Sequence, residues 1–286
     1  MLNLLKINKK ILEYIILLRP KQWIKNFFIF APLIFSSNFN VNSSIINSVI
    51  CFSIFVLASS IVYIINDLYD YEKDIKHPLK KIHRPIASGK ISFLEAKIFL
   101  FLLISLTIFL YIILLYEFFY IVFIYIFLNF LYSMKLKHYH FIDIIIISLG
   151  FIMRIYSGAI AISVEVSMWM ILTTFMIGIF LGSVKRYQEL NFKTKEIEVS
   201  KFYNLTTLKI LSFFSSSFCV ISYFLYVFFE NSNLIYSFLF VFTGISRYWF
   251  ISFKRNKGES PTDTILSDLL LITIILLWLI FIILKI

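Results

Sequence analysis

Between Asn66 and Lys90 the sequence gathers four carboxylates, six Lys or Arg side chains, two His and two Pro, set between two long apolar runs. Asp67, Asp70 and Asp74 are spaced i, i+3, i+7, so on one continuous helix they would share an arc of about 60°, with Asn66 at its edge. Carboxylates crowded in this way repel one another unless a cation sits among them. Mg²⁺ suits such a face, because it takes one or two carboxylates and leaves its other positions to water and phosphate oxygens. Lys80, Lys81 and Arg84 follow closely, and cations beside metal-binding carboxylates are what a diphosphate requires. Pro85 and Gly89 mark a turn. For the basic residues alone, a solvated loop that sets membrane topology is the plainer reading.

Four further clusters contain candidate residues. Arg19-Pro20-Lys21-Gln22-Trp23-Ile24-Lys25-Asn26 places Lys21 and Lys25 on one helical face, with Trp23 as an interfacial anchor. Snorkelling to lipid phosphate is the plainer reading of this face; the functional one has Lys25, deep in the span, facing an interior cavity and an anionic group. Lys135 and Lys137 follow Tyr132-Ser133, and Asp143 opens the next apolar run. Arg154 lies about 16 Å further along that run. An Arg at that depth costs several kcal/mol unless it faces protein or water, so it marks a site or pairs with a buried carboxylate. Gly182 to Leu190 brings Lys185, Arg186 and Glu189 within one turn, while Gly178 and Gly182 form a small-residue pair suited to helix packing. Finally, 257–263 offers Ser260 or Thr262 as the cap of the last span, near Asp263 and Asp268.

These clusters sit in a chain that water cannot solvate. Hydrophobic residues make up 60% and charged ones 15%, with a mean hydropathy of +0.89. The apolar runs are continuous and about 20 residues long, which predicts an all-α, polytopic membrane protein and excludes a β-barrel. Nine spans are expected near 23–37, 45–65, 93–114, 117–134, 141–163, 167–185, 206–229, 233–250 and 264–284. Residues 1–22 read as an interfacial amphipathic helix rather than a removed signal peptide. The whole of 1–286 then forms a single integral membrane domain. Cys51 and Cys219 fall inside spans without metal-ligand spacing.

Charge sets the orientation. Nearly all Lys and Arg fall in 1–25, 66–92, 134–140, 185–209 and 251–263, together with His77, His83, His138 and His140. The opposite connections, around 38–44, 115–118, 163–167 and 230–233, hold no Lys or Arg, only Glu117, Glu165 and Glu230. The positive-inside rule therefore puts the N-terminus and the long connections in the cytoplasm, in a cell or inner membrane. The formal charge of +11 is explained by this rule and by anionic substrates, not by nucleic acid. No phosphate-binding glycine loop, serine-hydrolase elbow or zinc-protease motif is present.

The Asn-Asp-xx-Asp-xxx-Asp pattern at 66–74, RPIASGKIS at 84–92 and YSMKLK at 132–137 resemble the UbiA-type intramembrane prenyltransferases. RPKQWIKN at 19–26, DYEKDIKHPLKKIHRPIASG at 70–89, VKRYQEL at 184–190 and GESPTD at 258–263 are most similar to the decaprenyl-phosphate phosphoribosyltransferase branch. The resemblance implies a nine-helix bundle with a central cavity open to the cytoplasmic face. It implies Mg²⁺ held by Asp67, Asp70 and Asp74, with Asn66 assisting. It also assigns substrate or phosphate binding to Lys21, Lys25, Lys80, Arg84, Lys135, Lys137, Arg154, Lys185, Arg186, Tyr187 and Glu189. Ordinary members carry a second aspartate-rich motif where this chain has Lys185-Arg186-Tyr187-Gln188-Glu189. That departure favours phosphoribosyl diphosphate and a polyprenyl phosphate lipid as substrates, for cell-envelope synthesis. The alternative is transfer of a prenyl chain from its diphosphate to an aromatic or other small acceptor; an anion transporter is a third, non-enzymatic reading. Homo-oligomerisation is left open. A fluorescent reporter fused to the C-terminus is expected to stay dark, as exported fusions do. Fluorescence there would rule out nine crossings with a cytoplasmic N-terminus.

Overall fold

A computed structural model describes residues 2–76, 80–139, 141–191, 203–256, 258 and 260–286, with the backbone alone at 2–8 and 138. The connections 66–92, 134–140, 185–209 and 251–263 are thus described in part, and His77, His140, Lys257 and Glu259 lie outside the described residues. Among the described residues the regular elements are helices without strands. In chain order they are α1 (Leu2–Leu17), a 3₁₀ segment (Pro20–Phe30), α2 (Ala31–Phe35), α3 (Asn42–Tyr69), α4 (Tyr71–Lys76), α5 (Lys80–His83), α6 (Phe93–Leu114), α7 (Phe119–Met134), α8 (Ile142–Ala161), α9 (Met168–Asn191), α10 (Leu205–Phe229), α11 (Ser237–Lys254), α12 (Pro261–Ser267) and α13 (Leu269–Lys285).

Five of these, α3, α6, α8, α9 and α10, are single helices long and apolar enough to cross a bilayer. The chain is a multi-pass membrane protein. The surface of α6 explains why lipid must surround it: the helix is apolar all round, yet Phe101 is 69% exposed and Ile112 63% exposed. By contrast α3 and α8 are the central helices, and most of their apolar windows are buried. Phe55, Ala58 and Val62 of α3 pack with Val122 and Tyr125 of α7 and Ala161 of α8. Lower on α3, Ile61, Ile64 and Ile65 meet Leu17 of α1 and Ala96 and Leu103 of α6.

Two expected spans take another form. The segment 23–37 is not one α-helix; it runs as a 3₁₀ helix and continues into α2. The steeper rise of a 3₁₀ helix, about 2.0 Å per residue, lets eleven residues cover about 22 Å. The last expected span, 264–284, is broken by an 88° bend between α12 and α13. Asp268 makes the break. Its carboxylate accepts from Leu271 N at the start of α13 and takes both nitrogens of Arg247 at 3.1 and 2.8 Å. Ser260 therefore caps α12, not the final span.

Close approach governs how the central helices meet. A Cβ at Gly178 would lie 2.7 Å from Ser148 Cα, and one at Gly182 would lie 3.1 Å from Ile144, so the small-residue pair is a packing seam between α9 and α8. Gly158 is tighter still, since a Cβ there would fall 2.1 Å from Ile29 O and push the 3₁₀ segment off α8. Gly158→Ala is expected to lower stability by about 1–3 kcal/mol. Thermal unfolding of the purified protein in detergent measures this, and an unchanged midpoint would contradict the contact.

Candidate active site

The charged residues collect where α3 ends. Tyr69 is the last residue of α3 and Asp70 its cap, after which the chain restarts as α4. The bonds from Asp70 N to Asn66 O and from Asp74 N to Asp70 O carry the helical pattern across this break, while the three carboxylates do not all take the same partner. Asp67 and Asp74, both buried, come together across the guanidinium of Arg84. Arg84 Nη1 lies 3.0 Å from Asp67 Oδ1 and donates to Asp74 Oδ2. Asp70 accepts from Lys137, in the 3₁₀ turn Leu136–His138 that follows α7. Asn66 is half-buried beside Asp67. The turn from Arg84 to Ile91, with Gly89 at φ 74°, carries Arg84 back under α3 before the Ser92–Glu95 capping box starts α6.

Arg19 is the partner that spacing did not single out. It adopts a left-handed backbone (φ 54°, ψ 62°) just before Pro20, an uncommon conformation for a non-glycine residue. The turn brings its guanidinium onto Asp67 and over the Tyr63 ring, 5.0 Å from the centroid. The RP dipeptide was visible; the strained turn that aims Arg19 was not.

Asp74 has the character expected of a carboxylate awaiting a cation. Its Oδ1 is buried without a hydrogen bond, and the nearest ammonium, Lys80 Nζ, stands 3.8 Å away. Burial pushes its carboxyl above the usual carboxylate range, against the pull of Arg84 and Lys80. Among the described residues no three carboxylate, imidazole or thiol groups converge into a metal cage. Two facing carboxylates with one orphaned oxygen nevertheless fit Mg²⁺, which takes few protein ligands and completes its shell with phosphate and water.

A second cluster joins α8 and α9. Arg186 donates to Asp143 and to Glu189, and its Nη2 lies 3.4 Å from Tyr132 OH. Tyr203 donates to the other oxygen of Asp143 at 2.6 Å, and the same hydroxyl accepts from Phe141 N. Lys185 stands 3.6 Å from Glu189. The segment read as cationic thus contains an arginine already held between two carboxylates. Asp143 had been noted only as the start of a span, and no sequence signal pointed to Tyr203.

Arg154 is buried in α8, and it does not pair with a carboxylate among the described residues. Its Nε donates to Asn26 Oδ1 at 2.8 Å, Nη1 to Gly150 O at 2.6 Å and Nη2 to Tyr125 OH at 3.0 Å. Its charge stays uncompensated. Lys25 and Tyr63 lie within electrostatic reach of Arg154, Arg19 and Lys185.

Lys21 and Lys135 lie at the surface, and Tyr187 packs beside the Tyr203 group. Lys21 is exposed and 3.7 Å from Asp263, Lys135 is exposed, and the Tyr187 ring packs on Phe253. The resemblance assigns all three to substrate binding. Two clefts of about 400 and 350 Å³ open at the other end of the bundle, around Glu117 and around Glu165 and Glu230. Neither touches the aspartates.

The fold is a helical bundle of apolar spans with paired carboxylates and several cations gathered at one end. Residues 27–273 match the UbiA prenyltransferase family, and the chain belongs to it. A decaprenyl-phosphate phosphoribosyltransferase from Corynebacterium glutamicum is 33% identical over 177 residues, covering 60% of this chain and 53% of that protein. That alignment spans about half the length of the relative. The Mycobacterium tuberculosis protein of the same name is 26% identical over 91% of this chain and 90% of its own. In architecture the chain is similar to a UbiA homologue from Archaeoglobus fulgidus solved with GPP and Mg²⁺. The TM-score is 0.73 at 20% identity, covering 95% of this chain and 99% of the other.

Removing Arg84 would take away the cation shared by Asp67 and Asp74, leaving Arg19 on the first and Lys80 at 3.8 Å from the second. Arg84→Gln is expected to lose about 3 kcal/mol of stability, part of which added Mg²⁺ restores. A variant whose thermal midpoint ignores Mg²⁺ would argue against a cation site between these two carboxylates.

Proposed function

We propose that the protein transfers the 5-phosphoribosyl group from phosphoribosyl diphosphate to a polyprenyl phosphate, releasing diphosphate, with the charged end of the bundle in the cytoplasm. The observation that carries this reading is the pair Lys25 and Arg154, which have no carboxylate partner among the described residues, close to the Arg19, Lys80 and Arg84 cations that already meet Asp67 and Asp74. The reaction brings together a donor with three phosphate groups and an acceptor that is itself a phosphate. Such a pair needs more positive charge than a prenyl diphosphate meeting a neutral acceptor. The names of the full-length relatives point the same way.

Asp67 and Asp74 would hold Mg²⁺, with Asp70 reached through its exchange partner Lys137. Bound there, the ion would neutralise diphosphate oxygens and favour their departure. Arg84 and Lys80, freed from the carboxylates, would turn to the remaining diphosphate charge. A phosphate oxygen of the lipid attacks C1 of the ribose as the bond from C1 to the diphosphate oxygen breaks. The electron pair leaves with the diphosphate, and the product is polyprenyl-phospho-5-phosphoribose. The acceptor oxygen is already anionic, so no strong general base is required. The protein contributes mainly preorganised charge around an oxocarbenium-like transition state. The pairing of Arg186 with Asp143 and Glu189 would keep the α8–α9 end rigid and nearly neutral, leaving Lys185 as its outward cation.

A second reading has its own support. The family is one of prenyltransferases, and the Archaeoglobus fulgidus neighbour was solved with GPP, so transfer of a prenyl chain to a small acceptor remains the competing activity. One assay separates them. Purified protein is offered labelled phosphoribosyl diphosphate or labelled prenyl diphosphate, each with polyprenyl phosphate and an aromatic acceptor, and the lipid product is identified by mass. Label is expected in the lipid only from the phosphoribosyl donor and only with Mg²⁺. Asp67→Asn should lower turnover about a hundredfold. Prenylation of the aromatic acceptor would replace the first reading with the second.

A further inference from the structure

Lys25 stands one residue before Asn26, and Asn26 joins two helices. Its Oδ1 accepts from Arg154 of α8 at 2.8 Å and its Nδ2 donates to Ser59 of α3 at 3.2 Å. Tyr63 lies one turn beyond Ser59 on α3, and Asp67 one turn beyond Tyr63. Tyr63 thus sits about 6 Å along the helix from Asp67, on the membrane side of the carboxylates. Arg19 covers its ring from the Asp67 side.

Lys25 and Tyr63 are both half-buried, each within a turn of the Asn26–Ser59 hydrogen bond that joins the 3₁₀ segment to α3. Among the described residues neither the Lys25 ammonium nor the Tyr63 hydroxyl has a hydrogen-bond or ion-pair partner. The charged groups acting most strongly on both are the same three cations, Arg154, Arg19 and Lys185. Among the described residues Arg154 in turn is held by neutral oxygens and by the faces of Tyr125, Phe55 and Phe151, with no carboxylate. Like charges gathered in a bundle interior cost several kcal/mol unless an anion joins them.

We infer that Lys25, Tyr63 and Arg154 form a metal-free hole for a phosphate monoester, distinct from the Asp67–Asp74 diphosphate site. Carboxylates mark where a metal-bridged diphosphate belongs; no carboxylate faces Lys25 among the groups that dominate its surroundings. An anion there is bound directly by an ammonium, a guanidinium and a hydroxyl. Resting on the phosphoribosyl-transfer reading, two groups have this chemistry: the headgroup of the lipid acceptor and the 5-phosphate of the donor. The hole lies toward the membrane from the aspartates, the side on which a lipid headgroup arrives, and this assigns it to the acceptor. Bound so, the acceptor phosphate would have its charge shielded while it approaches the diphosphate-bearing carbon from below.

The test uses the full-length protein in detergent. Binding of farnesyl phosphate, with farnesol as the uncharged control, is measured by thermal stabilisation in the wild type, Lys25→Met, Lys25→Arg and Tyr63→Phe. Steady-state KM values for each substrate are measured alongside. Lys25→Met should weaken farnesyl phosphate binding at least tenfold and Tyr63→Phe about threefold, with farnesol unaffected and Lys25→Arg close to wild type. The KM for the lipid phosphate should rise with them while that for phosphoribosyl diphosphate stays within about twofold. Unchanged farnesyl phosphate affinity in Lys25→Met overturns the hole. A rise in the donor KM instead assigns the hole to the 5-phosphate and overturns the acceptor assignment. Farnesyl phosphate binding that needs Lys25, in a wild type that forms no phosphoribosyl lipid, would leave the hole standing and remove the functional reading.

Discussion

Arg84 lies between Asp67 and Asp74, and the charged end of the bundle is organised around that contact. Two carboxylates this well buried cannot coexist ionised without a cation between them. In the protein alone the guanidinium supplies it, and the turn at Pro85–Ile91 exists in this form because Arg84 must reach back beneath α3. The same contact holds α4 and α5 against the end of α3, and through Asp67 it draws in Arg19 and the strained turn ahead of Pro20. A substrate that brings its own phosphates and a metal offers both partners something better, so this contact is suited to exchange rather than permanence.

A similar arrangement recurs between α8 and α9 with a different consequence. Arg186 is gripped by Asp143 and Glu189, Asp143 is fully buried, and Tyr203 fixes its second oxygen. Every acceptor there is engaged, whereas Asp74 keeps one oxygen without a hydrogen bond. That difference separates a structural clamp from a site open to a ligand. Lys25 and Arg154 have no carboxylate partner among the described residues, which is what the proposed anionic ligand would answer.

The glycines serve the same end. Gly158 lets the 3₁₀ segment lie against α8, which is what places Lys25 and Asn26 beside Arg154. Gly178 and Gly182 let α9 close on α8, which puts Arg186 within reach of Asp143. Backbone proximity at small residues thus sets the distances between charges.

The membrane class, the position of most spans and the identity of the chemistry-bearing stretches were legible in the sequence, because hydropathy and charge density are local properties. So was the burial of Asp67, Asp74 and Arg154, which stand out as charges next to or inside apolar runs. Which charge meets which was not. Asp70 meets Lys137, 67 residues on; Asp143 meets Arg186 and Tyr203 across 43 and 60 residues. A spacing rule describes one helix, and these partners come from other segments. The left-handed turn at Arg19 and the bend at Asp268 likewise depend on partners brought from other helices. Local pattern determined where charge would be buried; only the packing of helices decided how it is neutralised and where it is left for a ligand.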